Sequence, residues 1–586
     1  MLRDRCCRFR QFCSCAPLAV LLLLSTALQQ THGVKVRVWT NVTDVDFKHP
    51  ELDPRSDFGI GMLLDKPSLG ISMSGGGWRA ASLAYGWLRA LHLMNITNKA
   101  QYISANSGGT WVTTPYAYTN TPMTRFFSPY FEPQNLTTAR LSMSLTPGSW
   151  GSRVAGKSLL LGALGNPTTM PGEPSAWATN IASIFLNPFG VGSSDSSVGA
   201  NGTRGDMLRV TKRKLLPGFP VNVACKDNRP YPIVVGSVMT PERQVSPKFF
   251  PFEFTPLYVG MPPVADYTKP TALGGGYVEP IAFNTLAPRR KVVSKSGNES
   301  VNVALLHPAT VSSLMHSVGI SSSAVALRMK PGNILTANLF NGQMVNYWNL
   351  WDYKQALYTF ADGGAVDDLA IMPLLRRGVK NIVACVATHT NPSGTLEDFA
   401  KEEFALAGLF GAFPLDATND RGEQMMIHGV DDVGTWNEMG KVFPTSGFKQ
   451  LFEKYKASYT AGGAHIFPAT YEVVKNGFQG VAGGYTVNVL WVLNGQSTQW
   501  EQQLPQPTQR WLARQRRSGA YKDYPNVYNN LDAPAPLISL LSQQASWGFR
   551  AKKDVVLDWI ADAAGSQSGP SNAAPKSSSS SSIKHS

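Results

Sequence analysis

Ser107 lies in the segment Ala105-Asn106-Ser107-Gly108-Gly109-Thr110-Trp111, where a short β-prone run, Tyr102-Ile103-Ser104-Ala105, turns sharply into an apolar stretch. A serine at a strand-to-helix turn has the placement of a nucleophile elbow, which exposes the hydroxyl while the helix N-terminus favours developing negative charge. Such a turn needs small neighbours. Gly108 and Gly109 supply them after the serine, and Ala105 stands where a glycine is expected before it. Upstream, Gly75-Gly76-Gly77 offers consecutive backbone N–H groups at another helix start, the construction an oxyanion hole requires. No Lys-Ser/Thr follows these glycines and they lack dinucleotide-fingerprint spacing, so phosphate cradling fits less well than acyl chemistry. Asp362, in Ala361-Asp362-Gly363-Gly364, follows the apolar run Leu357-Tyr358-Thr359-Phe360 and is a candidate base for the serine. Two other arrangements stay open. The base could be His389, His428 or His465 in a Ser-Asp-His triad on an α/β-hydrolase fold, or the same pocket could bind lipid without catalysis.

The elements around these residues alternate. Leu69-Gly70-Ile71-Ser72-Met73-Ser74 reads as a buried strand entering the glycine turn, and Trp78 to Leu91 carries apolar residues at helical spacing with no proline. Tyr102–Ala105 and the stretch after Ser107 repeat strand, turn and helix, a pattern that predicts a parallel α/β sheet. Further buried strands are expected at 233–238, 252–259, 301–306 and 381–386, with a late strand or hairpin at 485–493. Residues 120–220 are rich in Pro, Gly, Ser and Asn and hold two apolar islands, at 159–161 and 181–189. This region reads as an insertion or lid, or as a surface excursion with a small core of its own.

Taken together, these motifs resemble the catalytic domain shared by fungal phospholipase B (lysophospholipase) and group IV cytosolic phospholipase A2. Ser74-Gly75-Gly76-Gly77-Trp78-Arg79-Ala80 is similar to the family's glycine segment, and Ser107-Gly108-Gly109-Thr110-Trp111 to its nucleophile segment. Asp362-Gly363-Gly364, with Pro373-Leu374 and Arg377-Gly378-Val379 downstream, resembles its aspartate site, and Phe252-Glu253-Phe254-Thr255-Pro256 resembles a segment of the fungal members. The likeness spans roughly residues 65–480. It implies an α/β fold of the patatin/cytosolic phospholipase A2 kind, with a parallel-rich central sheet, helices on both faces and a lid or cap insertion. It implies a carboxylic ester hydrolase acting on phospholipids and lysophospholipids. Ser107 would be the nucleophile and Asp362 its base without a histidine. Gly75, Gly76 and Gly77 would form the oxyanion hole, and Arg79 and Arg377 would hold the phosphate head group. Ala105-Asn106 departs from the family's Gly-Leu. No acidic calcium loop is evident before Ser74, so no calcium, other metal or cofactor is expected.

Charged residues make up only 16% of the 586-residue chain, while Lys plus Arg exceeds Asp plus Glu by 14. The excess is diffuse: Arg289-Arg290-Lys291, Arg376-Arg377 and Arg514–Arg517 are its densest clusters, and none forms a nucleic-acid module. With nucleic acid set aside, the resemblance implies phospholipid and a membrane surface as the partners, and no protein partner is inferred. Residues 1–33 join Arg3, Arg5, Arg8 and Arg10 to a short apolar run around Leu21–Leu24, which reads as a secretory signal or signal anchor. Four of the six cysteines lie there, and only Cys225 and Cys385 remain beyond it. Asn41, Asn95, Asn135, Asn201 and Asn298 each begin an N-glycan acceptor triplet, in keeping with an extracellular or vesicular lumen. One large catalytic domain is expected over 34–563, followed by a disordered Ser-rich tail over 564–586.

Overall fold

The computed structural model describes residues 33–40, 47–54, 56–164, 169–202, 218–239, 249–262, 275–288, 291–293, 299–304, 312–328, 342–348, 350, 355–417, 430, 433–528 and 531–565. Most of the expected signal segment and tail, together with Asn41, Asn298 and His428, lie outside these residues.

In chain order the strands are β1 (Gly33–Trp39), β2 (Leu69–Met73), β3 (Tyr102–Ala105), β4 (Ser197–Ala200), β5 (Val221–Ala224), β6 (Tyr231–Met239), β7 (Phe249–Phe254) and β8 (Val259–Met261). They continue with β9 (Gly276–Val278), β10 (Lys291–Val293), β11 (Glu299–Ala304), β12 (Gln343–Trp348), β13 (Gln355–Asp362), β14 (Asn381–Val386), β15 (Ile466–Val473) and β16 (Tyr485–Leu493). Among the described residues, fourteen of these join one sheet along β10-β11-β1-β9-β8-β7-β6-β3-β2-β14-β16-β15, with β13 on β6 and β12 on β13. Pairing is parallel through β6-β3-β2-β14-β16, the stretch that carries the glycine and serine motifs. The flanks are antiparallel, because β6, β7, β8 and β9 follow one another in sequence and lie side by side. The predicted parallel sheet is thus the centre of a mixed one.

β2, β3 and β14 are buried along their whole length, which explains why they read as near-continuous apolar runs without alternation. Gly70 of β2 lies beneath Leu374 of the helix Met372–Arg376, and Gly236 of β6 beneath Ile320 of the helix Leu314–Ser321. Gly70 is in register with Tyr102 and Tyr102 with Tyr231, so Gly236, five residues beyond Tyr231, points to the other face. Helices therefore cover both faces.

The described aromatic residues of the 120–220 region join the main core and do not form a core of their own. Phe185 stacks on Trp111 with centroids 4.5 Å apart, Trp150 donates to the Trp111 carbonyl at 2.9 Å, and Tyr85 packs on Trp150 and Phe127. Arg89, fully buried in the helix Gly77–Leu93, ties that region and the helix Ala535–Ala551 together through the Ser128 and Ser542 carbonyls and the Ser546 hydroxyl. Cys225 and Cys385 are free buried thiols, and the last helix runs to Gly565, just past the expected boundary. Asn95, Asn135 and Asn201 are exposed. No helix among the described residues is long and apolar enough to cross a membrane.

Arg377 sits in a buried ionic cluster. Its Nε donates to Glu51 at 3.0 Å, Nη1 to Glu253 and the Pro373 carbonyl at 3.0 Å each, and Nη2 to Glu253 at 3.3 Å and the Tyr258 hydroxyl at 2.6 Å. A guanidinium has five N–H donors, and all five are engaged. The expectation that Arg377 holds a substrate phosphate is therefore not met, since no donor is left for one. Its guanidinium also lies over Tyr102, which opens β3, whereas Ser107 follows the far end of that strand, about 15 Å away at the usual rise per residue. Burial alone would raise the carboxyl of Glu253, yet the charges of Arg377 and Arg376 prevail and hold it at about 2. Removing the arginine would leave the buried Glu51 without its cation and Glu253 with only Arg376, 3.7 Å away. Arg377→Ala is accordingly expected to cost about 3–5 kcal/mol in chemical denaturation at neutral pH, without changing the ratio of phospholipid to phosphate-free ester hydrolysis. A stable variant with a selective phospholipid defect would contradict this assignment.

Candidate active site

β3 ends at Ala105, the chain turns through Asn106–Gly109, and a helix runs from Thr110 to Tyr118. Ser107 has φ +46°, a left-handed conformation that costs a non-glycine residue on the order of 1–3 kcal/mol. The surrounding bonds impose it. Its N–H donates to the Ser321 hydroxyl at 3.0 Å, its carbonyl accepts from Thr110 Oγ1 at 2.6 Å, and the Gly109 N–H reaches the Asn106 carbonyl at 2.8 Å. Ala105 is an ordinary strand residue, so its replacement of the expected glycine leaves the strain on the serine. Gly108 is indispensable: a Cβ there would lie 2.2 Å from the Gly77 carbonyl oxygen. The serine turn and the glycine loop thus meet backbone to backbone.

In the glycine loop the three residues divide their roles. The Gly75 N–H donates to the Asp368 carbonyl at 2.8 Å, so Gly75 is corrected from oxyanion donor to anchor of the loop. Gly76 and Gly77, at φ +123° and +58°, turn the chain into the helix Gly77–Leu93. Their N–H groups have no acceptor among the described residues, at the helix end where partial positive charge accumulates. Beside Gly77 there is open space, with no atom within 4 Å of where a Cβ would stand.

Asp362 is the last residue of β13, which pairs with β6 next to β3 and so delivers the carboxylate to the serine turn. Its Oδ1 accepts from the Gly364 N–H at 2.7 Å and from Asn106 Nδ2 at 3.3 Å, and the nearby Ser107 hydroxyl helps to lower the pKa of the same carboxyl. Burial is the largest influence and pushes this carboxyl up to about 7; the nearby Asp368 also raises it, while the Gly364, Ser107 and Asn106 contacts oppose the rise. Among the described residues, no histidine is a partner of this carboxyl. His389 faces Glu403 at 3.6 Å and stacks on Phe404, and His465 lies between the Ser458 hydroxyl and the Gln496 carbonyl, where burial lowers it to about 4.

Arg79 reaches the glycine loop from behind. It is 2% exposed, donates to the Ala387 and Val527 carbonyls at 3.1 and 3.3 Å, and lies under the Tyr528 ring. A Cβ at Gly76 would come within 2.9 Å of its Nη2. Arg79 therefore braces the loop, and its burial argues against an open phosphate site. Three residues that sequence reasoning did not assign complete the site. Asn106 is fully buried and also reaches Asp368 at 3.0 Å; Asp368 anchors Gly75; Ser321 fixes the Ser107 amide. The one signal for them was Asn106 itself, a polar residue where the resembling family has leucine.

No protein-family model matches the chain, and no curated protein sequence does. Among solved structures, human GIVD cytosolic phospholipase A2 is similar with a TM-score of 0.40 and 12% identity, over 86% of this chain and 64% of that one. The same human enzyme in complex with methyl gamma-linolenyl fluorophosphonate inhibitor and terbium chloride gives a TM-score of 0.38 and 14% identity, over 85% and 60%. The chain thus spans less than two thirds of the length of these structures.

The raised Asp362 has a consequence for stability. The folded protein keeps a proton that the unfolded chain releases near the ordinary aspartate value of about 4, so stability falls as pH rises from there toward about 7. Asp362→Asn removes this cost. Its gain in unfolding free energy over wild type is expected to be near zero at about pH 4 and to grow to about 4 kcal/mol above pH 7. Denaturation curves across that range check it, and a difference independent of pH would contradict the buried, proton-retaining carboxyl.

Proposed function

We propose that the protein is a serine esterase that hydrolyses the fatty-acyl ester bonds of glycerophospholipids and lysophospholipids through Ser107 and Asp362. The observation that carries this reading is Ser107, held in a strained left-handed turn that is packed on the Gly76-Gly77 loop, with its hydroxyl near enough to the buried Asp362 carboxyl to lower its pKa. Backbone strain in a serine set between an acid and unpaired amides is the signature of a pre-organised nucleophile.

In the acylation step the Ser107 proton passes to Asp362 as Oγ attacks the ester carbonyl carbon. The oxyanion that forms is stabilised by the Gly76 and Gly77 N–H groups and the helix N-terminus. Collapse breaks the ester bond, and the departing alcohol takes the proton from Asp362, leaving the acyl group on Ser107. Water then attacks, giving its proton to Asp362 and later restoring the serine hydroxyl as the fatty acid leaves. A carboxyl near 7 is suited to both directions of transfer at neutral pH. The motif resemblance supplies the phospholipid substrate class, and the secretory pathway is the proposed location, from residues 1–33 and the exposed acceptor asparagines.

For the membrane surface, Arg510, Arg514 and Arg517 form one exposed stripe at helical spacing on the helix Gln506–Arg517. Sedimentation with anionic vesicles is expected to exceed that with zwitterionic vesicles and to fall with salt, more so for the wild type than for a variant with all three changed to Gln. Equal binding to both vesicle types would remove charge from recruitment.

Ser107→Ala and Asp362→Asn are each expected to lower kcat/KM on lysophosphatidylcholine by about 10³-fold or more, and the double variant by no more than either single change. In the wild type, kcat/KM should fall tenfold per pH unit below about 7, because the protonated carboxyl cannot accept the serine proton. Retained activity in Ser107→Ala, or loss in His389→Ala with Asp362→Asn active, would overturn the reading.

A further inference from the structure

Asn106 has a fully buried side chain with three partners. Its Nδ2 donates to Asp362 Oδ1 at 3.3 Å and to Asp368 Oδ1 at 3.0 Å, and its Oδ1 accepts from the Ser321 hydroxyl at 3.4 Å. A carboxamide has two N–H donors, and here each meets a different carboxylate. The opposite amide orientation would turn a carbonyl oxygen toward two acidic groups and leave the Ser321 hydroxyl without that acceptor, so the network admits one orientation.

Asp368 is fixed in turn. Its carbonyl accepts the Gly75 N–H at 2.8 Å, and its Oδ1 is pressed against Gly75 so closely that a Cβ there would lie 2.2 Å away. Ser321 completes the ring, since the hydroxyl that orients Asn106 also accepts the Ser107 N–H at 3.0 Å. The amide therefore stands where the strained turn, the glycine loop and the two acids meet.

We propose, on the reading that Ser107 and Asp362 form the catalytic pair, that Asn106 is a positioning residue: its amide, oriented by Ser321, bridges Asp362 and Asp368 and holds the base's carboxylate against the Ser107 hydroxyl. Two carboxylates this close repel one another, and a lone pair of them would share a proton or splay apart. A donor to each lets Asp362 ionise in place while Asp368 stays anchored to the glycine loop. Among the described residues, the other charged groups that interact with Asp368 are Arg79 and the buried Asp367, and neither donates to Asp362.

The test is an infrared titration of the Asp362 carboxyl in protein labelled with ¹³C-aspartate, using Asp362→Asn as the blank, run alongside pH profiles of kcat/KM on a soluble ester. The wild-type midpoint is expected near 7. Asn106→Leu removes a donor to the ionised form and should move it up by about one pH unit, while Asp368→Asn removes a like charge and should move it down by about as much. Both should shift the acid limb of kcat/KM by the same amount. Ser321→Ala, which touches neither carboxylate, should move the midpoint in the direction of Asn106→Leu, and it stands in for that variant if leucine prevents folding. A lowered Tm with an unmoved midpoint in these variants would reduce Asn106 to a packing role and overturn the proposal. The titration reads without turnover. If Ser107→Ala still hydrolysed ester the esterase reading would fail, and the midpoints would still decide the role of Asn106.

Discussion

Gly108 and Gly77 approach so closely that neither turn could move without the other, since a single carbon atom between them would overlap a carbonyl oxygen. This contact exists because β2 and β3 run parallel in adjacent positions and end at the same edge of the sheet. Each then enters a helix, so two helix N-termini converge there. β13 arrives beside them from the opposite direction and places Asp362 at its last residue. Ser107, the Gly76 and Gly77 amides and Asp362 thus meet at the carboxyl ends of the central strands, the place where open α/β sheets gather their chemistry.

Burial sets the electrostatics of both buried acidic clusters, with opposite outcomes. Around Arg377 it is offset by paired charges, and Glu253 stays ionised to about 2. Around Asp362 the described residues place no cation within hydrogen-bonding reach, and the carboxyl rises to about 7. On the proposed reading, one acidic cluster is scaffold and the other supplies the proton acceptor, near neutral pH. The strain at Ser107 and the retained proton on Asp362 both lower stability, as expected where a site is held ready for chemistry.

Local pattern made the centre of the sheet and the three motifs legible: Gly75–Gly77, Ser107 and Asp362 each sit where a strand ends and a turn begins, which neighbouring residues alone reveal. Partners far apart in sequence were not legible. That Arg377 would meet Glu51 and Glu253, or Gly75 the Asp368 carbonyl, depends on register between distant strands and leaves no trace at Arg377 or Gly75. For the same reason the antiparallel flanks escaped a reading based on alternation, and the aromatic residues of the 120–220 region were not assigned to the main core. Asn106 was visible as a departure, but its meaning required Asp368 and Ser321.

On the proposed reading, Ser107 is made nucleophilic by the neighbouring Asp362 carboxylate. Reaction with a fluorophosphonate, followed by mass-spectrometric peptide mapping, tests it most directly because the reagent is attacked by an activated serine and needs no knowledge of the natural substrate. The account predicts a single adduct on Ser107, forming faster as pH rises through about 7 and nearly absent in Asp362→Asn. An adduct on another serine, or undiminished labelling of Ser107 in Asp362→Asn, would contradict it.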